Sequence, residues 1–301
     1  MSPRLRPSGT PSDLALYSRV AQRSSAPIIR NYSTSFGMAA RLLDRRIRPD
    51  IENIYGLVRV ADEIVDGAAH EAGLDPSAQR ELLDAFENET VRALRDGFST
   101  NLVVHAFALT ARTAGISPDL TAPFFASMRR DLSPADLTED ELRDYIYGSA
   151  EVVGLMCLRV FLKEEAPDLA RRQRLEFGAS RLGAAFQKIN FLRDLPADWN
   201  QLGRNYLPGM NATTITEREK RALVADIDAD LKAAAAVIPE LPRGSRAAVT
   251  AAHSLFSELS ERLRMTPARD LMRPSRTRVP NALKLRILVR AAASRALCRT
   301  P

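Results

Sequence analysis

The sequence predicts an all-α protein, and three observations carry that expectation. Ala, Leu, Arg and Glu, all strong helix formers, dominate the long stretches of the 301-residue chain. Glycine is sparse, at 14 residues, and alternating β-branched runs are rare. Apolar residues recur at helical spacing from residue 13 onward, and no segment reads convincingly as a strand. The expected organisation is one helical domain over residues 13–301, with about ten helices around a central cavity. Residues 1–12 read as a disordered tail.

Local signals place the elements in order. Breaks fall near Arg48-Pro49, Gly67–Pro76 and Gly97–Thr100. Ser117 followed by Pro118 reads as an N-cap with proline at the first helical position. Thr138 with Glu141 three residues later forms a capping box, opening a helix expected to run to about Lys163. Pro196 is expected to kink or end the helix that begins before Leu182. After the break at Gly203–Thr216, Thr216 and Glu219 repeat the capping-box signal, and Pro239–Gly244 and Pro267–Pro280 delimit the last helices. In Pro280–Leu297, an apolar face of Leu283, Ile287, Leu288, Ala291 and Leu297 is surrounded by Lys284, Arg286, Arg290 and Arg295. Such a helix ordinarily closes a domain; peripheral docking on an anionic membrane is the functional alternative.

Composition removes several classes. An apolar fraction of 45% supports a substantial core and excludes wholesale disorder. The net charge of +6 suits an anionic partner such as nucleic acid, a phospholipid surface or a diphosphate. Arg269–Arg290 has few aromatics and no nucleic-acid motif, so no nucleic-acid partner is expected. Cys157 and Cys298 cannot build a disulfide framework or a zinc site, which points to a reducing cytoplasm. Met1–Pro11 lacks an apolar signal core, and no apolar run reaches the roughly 18 residues that span a bilayer. The expected location is the cytoplasm, with peripheral contact at the inner face of the cell membrane as an option. His70, His105 and His253 form no local pattern.

Two carboxylate pairs carry the chemistry. Asp62 and Asp66 stand four apart in an apolar segment and share one helical face with Arg59, with Tyr55 one turn back. One such pair is commonplace in a chain with 37 acidic residues. The second segment makes the difference: Gln187, Asn190 and Asp194 form a polar stripe on an otherwise apolar helix, and Asp198 continues it. A row of amides and a carboxylate in that setting is costly unless something polar meets it. Carboxylate pairs with adjoining arginines (Arg59 and Arg193) suit Mg²⁺ shared with substrate phosphates, gripped in turn by forked guanidinium bonds. A structural network of buried ion pairs is the alternative reading of the same residues.

Four ordered blocks then resemble the squalene/phytoene synthase family, over roughly residues 25 to 295. They are Tyr32-Ser-Thr-Ser-Phe36, Tyr55-x3-Arg59-x2-Asp62-Glu-Ile-Val-Asp66, Tyr145-Ile-Tyr-Gly-Ser-Ala-Glu-Val-Val-Gly-Leu-Met156, and Gln187-x2-Asn190-x2-Arg193-Asp194-x3-Asp198 with Gly203-Arg204-x-Tyr206-x-Pro208. The wording is most similar to bacterial phytoene synthases of carotenoid pathways. The resemblance implies an isoprenoid-synthase-type helical fold and 1–1′ coupling of two prenyl diphosphates. By the same resemblance, Asp62, Asp66, Asn190, Asp194 and Asp198 would bind Mg²⁺ or Mn²⁺, and Arg59, Arg193 and Arg204 would grip diphosphate. Ser33, Phe36, Tyr55 and Gln187 would line the substrate site, and Tyr145 would stand near the carbocations. Phytoene formation implies no NADPH; a C15-coupling relative and a non-catalytic binding protein are the alternatives. Two positions depart from the family pattern: Glu151 stands where glycine is usual, and Ala197 where an acid is usual.

Overall fold

The computed structural model describes residues 12–133, 136–202, 205–209, 215–273 and 277–297, with side chains described except at 197–202 and 294–297. Among these residues every regular element is helical. The expected tail over residues 1–12 lies outside them except for Ser12, which caps the first helix by accepting from the Ala15 amide at 3.1 Å.

The chain runs through α1 (Asp13–Tyr32), α2 (Thr34–Ala40), α3 (Arg48–Val65), α4 (Ala68–Glu71), α5 (Pro76–Asp96), α6 (Leu102–Ala114) and α7 (Pro118–Asp131). It continues with α8 (Glu139–Ile146), α9 (Val152–Leu162), α10 (Leu169–Leu202), α11 (Glu217–Val237), α12 (Arg243–Met265), α13 (Ala268–Leu271) and α14 (Asn281–Leu297). These outnumber the expected ten because α4 and α13 are single turns and because the helix opened by Thr138 is divided. Both predicted capping boxes form, at Thr138–Glu141 and Thr216–Glu219.

Two clusters of buried side chains make the core. One gathers α3, α5, α6, α7 and α9 around Leu57, Phe107, Phe124 and Phe125. The other gathers α8, α10, α11 and α12 around Ile189, Leu192, Ile227 and Leu263. Phe36 of α2 packs against both, so the aromatic ring of the first block sits where the two halves meet.

Three expectations are corrected. The stretch after Thr138 is not one α-helix, because a π-helical turn, Tyr147–Glu151, separates α8 from α9. The cause is close backbone contact. A Cβ on Gly183 of α10 would lie 2.5 Å from the carbonyl oxygen of Ala150, and one on Gly154 would lie 2.6 Å from that of Ala179. Only glycine lets α10 approach the widened turn this closely. Pro196 does not end α10, which runs on to Leu202. Finally, Glu139–Leu162 is long and apolar enough, by length and composition alone, to cross a membrane. Its α9 part packs against α3, α6, α7 and α10, so the stretch is a central, interrupted helix of this fold.

On α14, Leu283, Leu288 and Ala291 turn inward as expected, and the helix packs against α12 and α2. The Leu297 and Arg295 side chains lie outside the described residues.

Candidate active site

α3 buries Ile54, Leu57, Ala61 and Val65 in the core, which leaves Tyr55, Arg59 and Asp62 along its neighbouring face. Asp66 is the C-cap, its amide donating to the Asp62 carbonyl at 2.8 Å, so the pair keeps helical spacing. Burial pushes the Asp62 carboxyl up to about 8; Asp66, Asp131 and Glu63 push the same way and Arg59 opposes them. Arg59 bonds Glu63 through Nη2 and lies 4.2 Å over the Tyr32 ring. Its Nε is buried with no hydrogen-bond partner among the described residues. Tyr55 is hydrogen-bonded to Ser33 and raised in pKa, chiefly by burial. Ser33 also caps α2, its hydroxyl accepting from the Phe36 amide at 3.1 Å. From there Phe36 meets Phe186 of α10 at 5.7 Å and Phe256 of α12 at 5.4 Å, and those two rings stack at 3.7 Å.

The second polar wall is α10. Gln187, Asn190 and Asp194 are half-buried along it, and the two amides have no hydrogen-bond partner among the described residues. Arg193 holds Asp194 in a two-point bond, with Nε at 2.9 Å and Nη2 at 2.5 Å from the two carboxylate oxygens. The Asp198 side chain and all of Arg204 lie outside the described residues, as does the Ala197 side chain.

Between the walls stands a residue that sequence reasoning missed. Asp131, at the end of α7, is buried; it accepts from Tyr206 Oη at 2.7 Å and Tyr145 Oη at 3.0 Å, and its charge also bears on Asp62. The Tyr145 ring lies 5.0 Å from Tyr206, which stacks on Phe191 at 4.7 Å. Burial, with Asp131 beside it, drives Tyr145 well above its ordinary value. It is therefore a neutral phenol at physiological pH, and its proton is committed to Asp131. Glu63, the tether of Arg59, was also missed. Tyr206 stood inside the fourth block, so a signal for it existed; Asp131 had none locally.

Glu151 is not aimed at the substrate side of α10. It pairs with Arg181 at 2.9 Å, Arg181 reaches Asp230 at 3.3 Å, and Lys188 joins Asp230 at 2.7 Å and Asp226 at 2.5 Å. This departure therefore serves to bind the π-helical turn, α10 and α11 together.

The donor set fits a divalent ion of one kind. Among the described residues no three His, Cys, Asp or Glu side chains converge to hold a metal by themselves. Mg²⁺ seldom needs that, because it takes one or two carboxylates and completes its shell with water and substrate phosphate. Facing carboxylates on α3, an orphaned guanidinium N–H and two unpartnered amides suit an ion and an anionic ligand arriving together.

The squalene/phytoene synthase family model matches residues 29–282. The chain is 33% identical to a 15-cis-phytoene synthase from a Paracoccus species over 62% of its length, although the match spans only 59% of that protein. It is 29% identical to a phytoene synthase from Pseudescherichia vulneris over 76% of this chain and 78% of that one. A dehydrosqualene synthase crystal structure shares the fold with a TM-score of 0.77 at 20% identity, over 93% of this chain and 98% of that one. A squalene synthase from Alicyclobacillus acidocaldarius aligns with a TM-score of 0.64 at 20% identity, over 83% and 95%. With its aspartates, arginines and aromatic wall in this arrangement, the chain belongs to the squalene/phytoene synthase family of prenyltransferase-type enzymes.

Proposed function

We propose that this protein couples two geranylgeranyl diphosphates head to head, through a cyclopropylcarbinyl diphosphate, to give phytoene and free diphosphate. The observation that carries the reading is a polar face on each of α3 and α10, with Phe36 packed against both halves of the core and meeting Phe186 of α10 and Phe256. Phytoene synthases among the relatives favour the C20 substrate. Farnesyl diphosphate coupling is the second reading, favoured by the C15 synthases that share the fold.

In this reading Asp62 and Asp66 on one wall, with Asn190, Asp194 and Asp198 on the other, would hold Mg²⁺ (or Mn²⁺). The ion supplies electrostatic stabilisation of the departing diphosphate. Arg59 has its buried Nε ready as a donor, while its Nη2 would leave Glu63, and Arg193 would leave Asp194, to meet phosphate oxygens. Arg204 would join them. Departure of one diphosphate leaves an allylic cation, which the C2=C3 alkene of the second substrate attacks; proton loss closes the cyclopropane. Loss of the second diphosphate and rearrangement complete the 1–1′ bond, with another proton lost and no hydride needed. Ser33 and Tyr55 position the region where α2 meets α3, and Gln187 extends the α10 wall. Phe36, Phe186 and Phe256 exclude water that would quench the cation, and their ring faces are favourable to positive charge. Tyr145, fixed by Asp131, contributes an oriented phenol rather than a base.

The test is incubation of the purified chain with Mg²⁺ and either geranylgeranyl or farnesyl diphosphate, without NADPH, and identification of the product. A C40 hydrocarbon from the C20 substrate is expected; turnover of the C15 substrate alone would refute the assignment.

A further inference from the structure

We infer that the outer face of α14 seats on an anionic phospholipid surface. The face is not the apolar side expected from the sequence, most of which turns into the fold. Leu285 and Val289, four residues apart, are 61% and 59% exposed, and Ala282, Ala292 and Ala293 extend the same strip on exposed positions. Arg286 and Arg290 run along one edge, both exposed and without an ion-pair partner among the described residues. The helix is thus apolar on two sides, one serving the core and one left outward beside arginines. Such a surface suits the boundary between headgroups and acyl chains.

Charge segregation identifies the occupant. Residues 271–301 contain 8 of the 43 Lys and Arg residues and no Asp or Glu. The other 35 basic and 37 acidic residues leave the rest of the chain at −2, so the +6 net charge comes entirely from this end. A second copy docking here through the same face would bring two wholly basic segments together. The N-terminal residues 1–11 carry Arg4 and Arg6 and no acid, so they too are repelled. Residues 271–301 contain no aromatic residue to stack on bases, while the exposed strip is aliphatic, which favours lipid over nucleic acid. Lys284 ties the helix to α2 by donating to Thr34 Oγ1 at 3.1 Å, and α14 also packs on α12. These are the helices that carry Phe36 and Phe256, so docking would set that aromatic wall behind the membrane-facing helix.

Co-sedimentation of the full chain with phosphatidylcholine vesicles, with and without phosphatidylglycerol, tests this. Binding is expected only to the anionic vesicles, and to fade at high salt. The double variant Arg286→Gln/Arg290→Gln should lower the partition coefficient about 25-fold, at about fivefold per arginine near the surface. Leu285→Ser/Val289→Ser should lower it at least about tenfold, from lost apolar burial. Both variants change exposed positions, and unchanged circular dichroism will show that they fold. Absence of binding at low salt, equal binding to neutral vesicles, or retention in either variant would overturn the inference. So would vesicle-free self-association that Leu285→Ser/Val289→Ser abolishes, because the strip would then belong to a second copy.

Discussion

Asp131 is predicted to tie the end of α7 to α8 and to the segment after α10 through Tyr145 and Tyr206, and a double-mutant cycle measures it. The perturbations are Tyr145→Phe, Asp131→Asn and their combination. Tyr145→Phe deletes one buried phenol whose Oη lies 3.0 Å from the Asp131 carboxylate, leaving Tyr206 at 2.7 Å to satisfy the other oxygen. A hydrogen bond to a carboxylate contributes about 1.5–3 kcal/mol, so that is the expected loss for Tyr145→Phe and for the coupling between the two sites. Asp131→Asn affects both phenols and should cost more than Tyr145→Phe, less whatever is regained by removing a carboxylate that repels Asp62. Urea unfolding of the four proteins supplies the free energies. A coupling below about 0.5 kcal/mol would refute the reasoning, because two sites joined by a buried charged hydrogen bond cannot be that independent.

Two further predictions concern the scaffold. Gly183→Ala would place a methyl group 2.5 Å from the Ala150 carbonyl oxygen, forcing the π-helical turn away from α10. A loss of about 1–3 kcal/mol in denaturant unfolding is expected, and an unchanged midpoint would contradict the close approach. His105 is wholly buried beside Ser18 and Ser99, and burial holds it below its ordinary value of 6.5. A depressed histidine contributes stability present above the unfolded value and lost as pH falls through the folded one. Stability should therefore decline below about pH 6.5 more steeply in the wild type than in His105→Gln; parallel pH profiles would contradict this.

The legible parts of the molecule were those written within one helix. Asp62 and Asp66, and the stripe Gln187–Asn190–Asp194, follow from three- and four-residue spacing, and the capping boxes mark helix starts by local chemistry. Asp131 was silent because its partners lie 14 and 75 residues away, on segments that only tertiary packing unites. The π-helical turn was silent for a related reason, since its glycine partners are read only once α10 lies against it. Pro196 was expected to kink or end the helix; it does not end it, because a proline removes one hydrogen bond without dictating that the helix stop, and α10 carries on to Leu202. Arg59 and Arg193 were legible as cations near carboxylates but not as cations already tied to Glu63 and Asp194. On α14 a single apolar face was expected, although Leu285 and Val289 mark a second one on the opposite side.

In the proposed reaction α3 and α10 together hold one diphosphate through a divalent ion, and calorimetry tests this without turnover. Inorganic diphosphate titrated into the wild-type chain should bind with Mg²⁺ present and weaken sharply when the metal is chelated. Asp62→Asn and Asp194→Asn should each abolish the Mg²⁺-dependent part, since each removes one of the two carboxylates its wall offers the ion. Magnesium-dependent binding that survives unchanged in either variant would show that the substituted aspartate takes no part, and would contradict joint binding of diphosphate by α3 and α10.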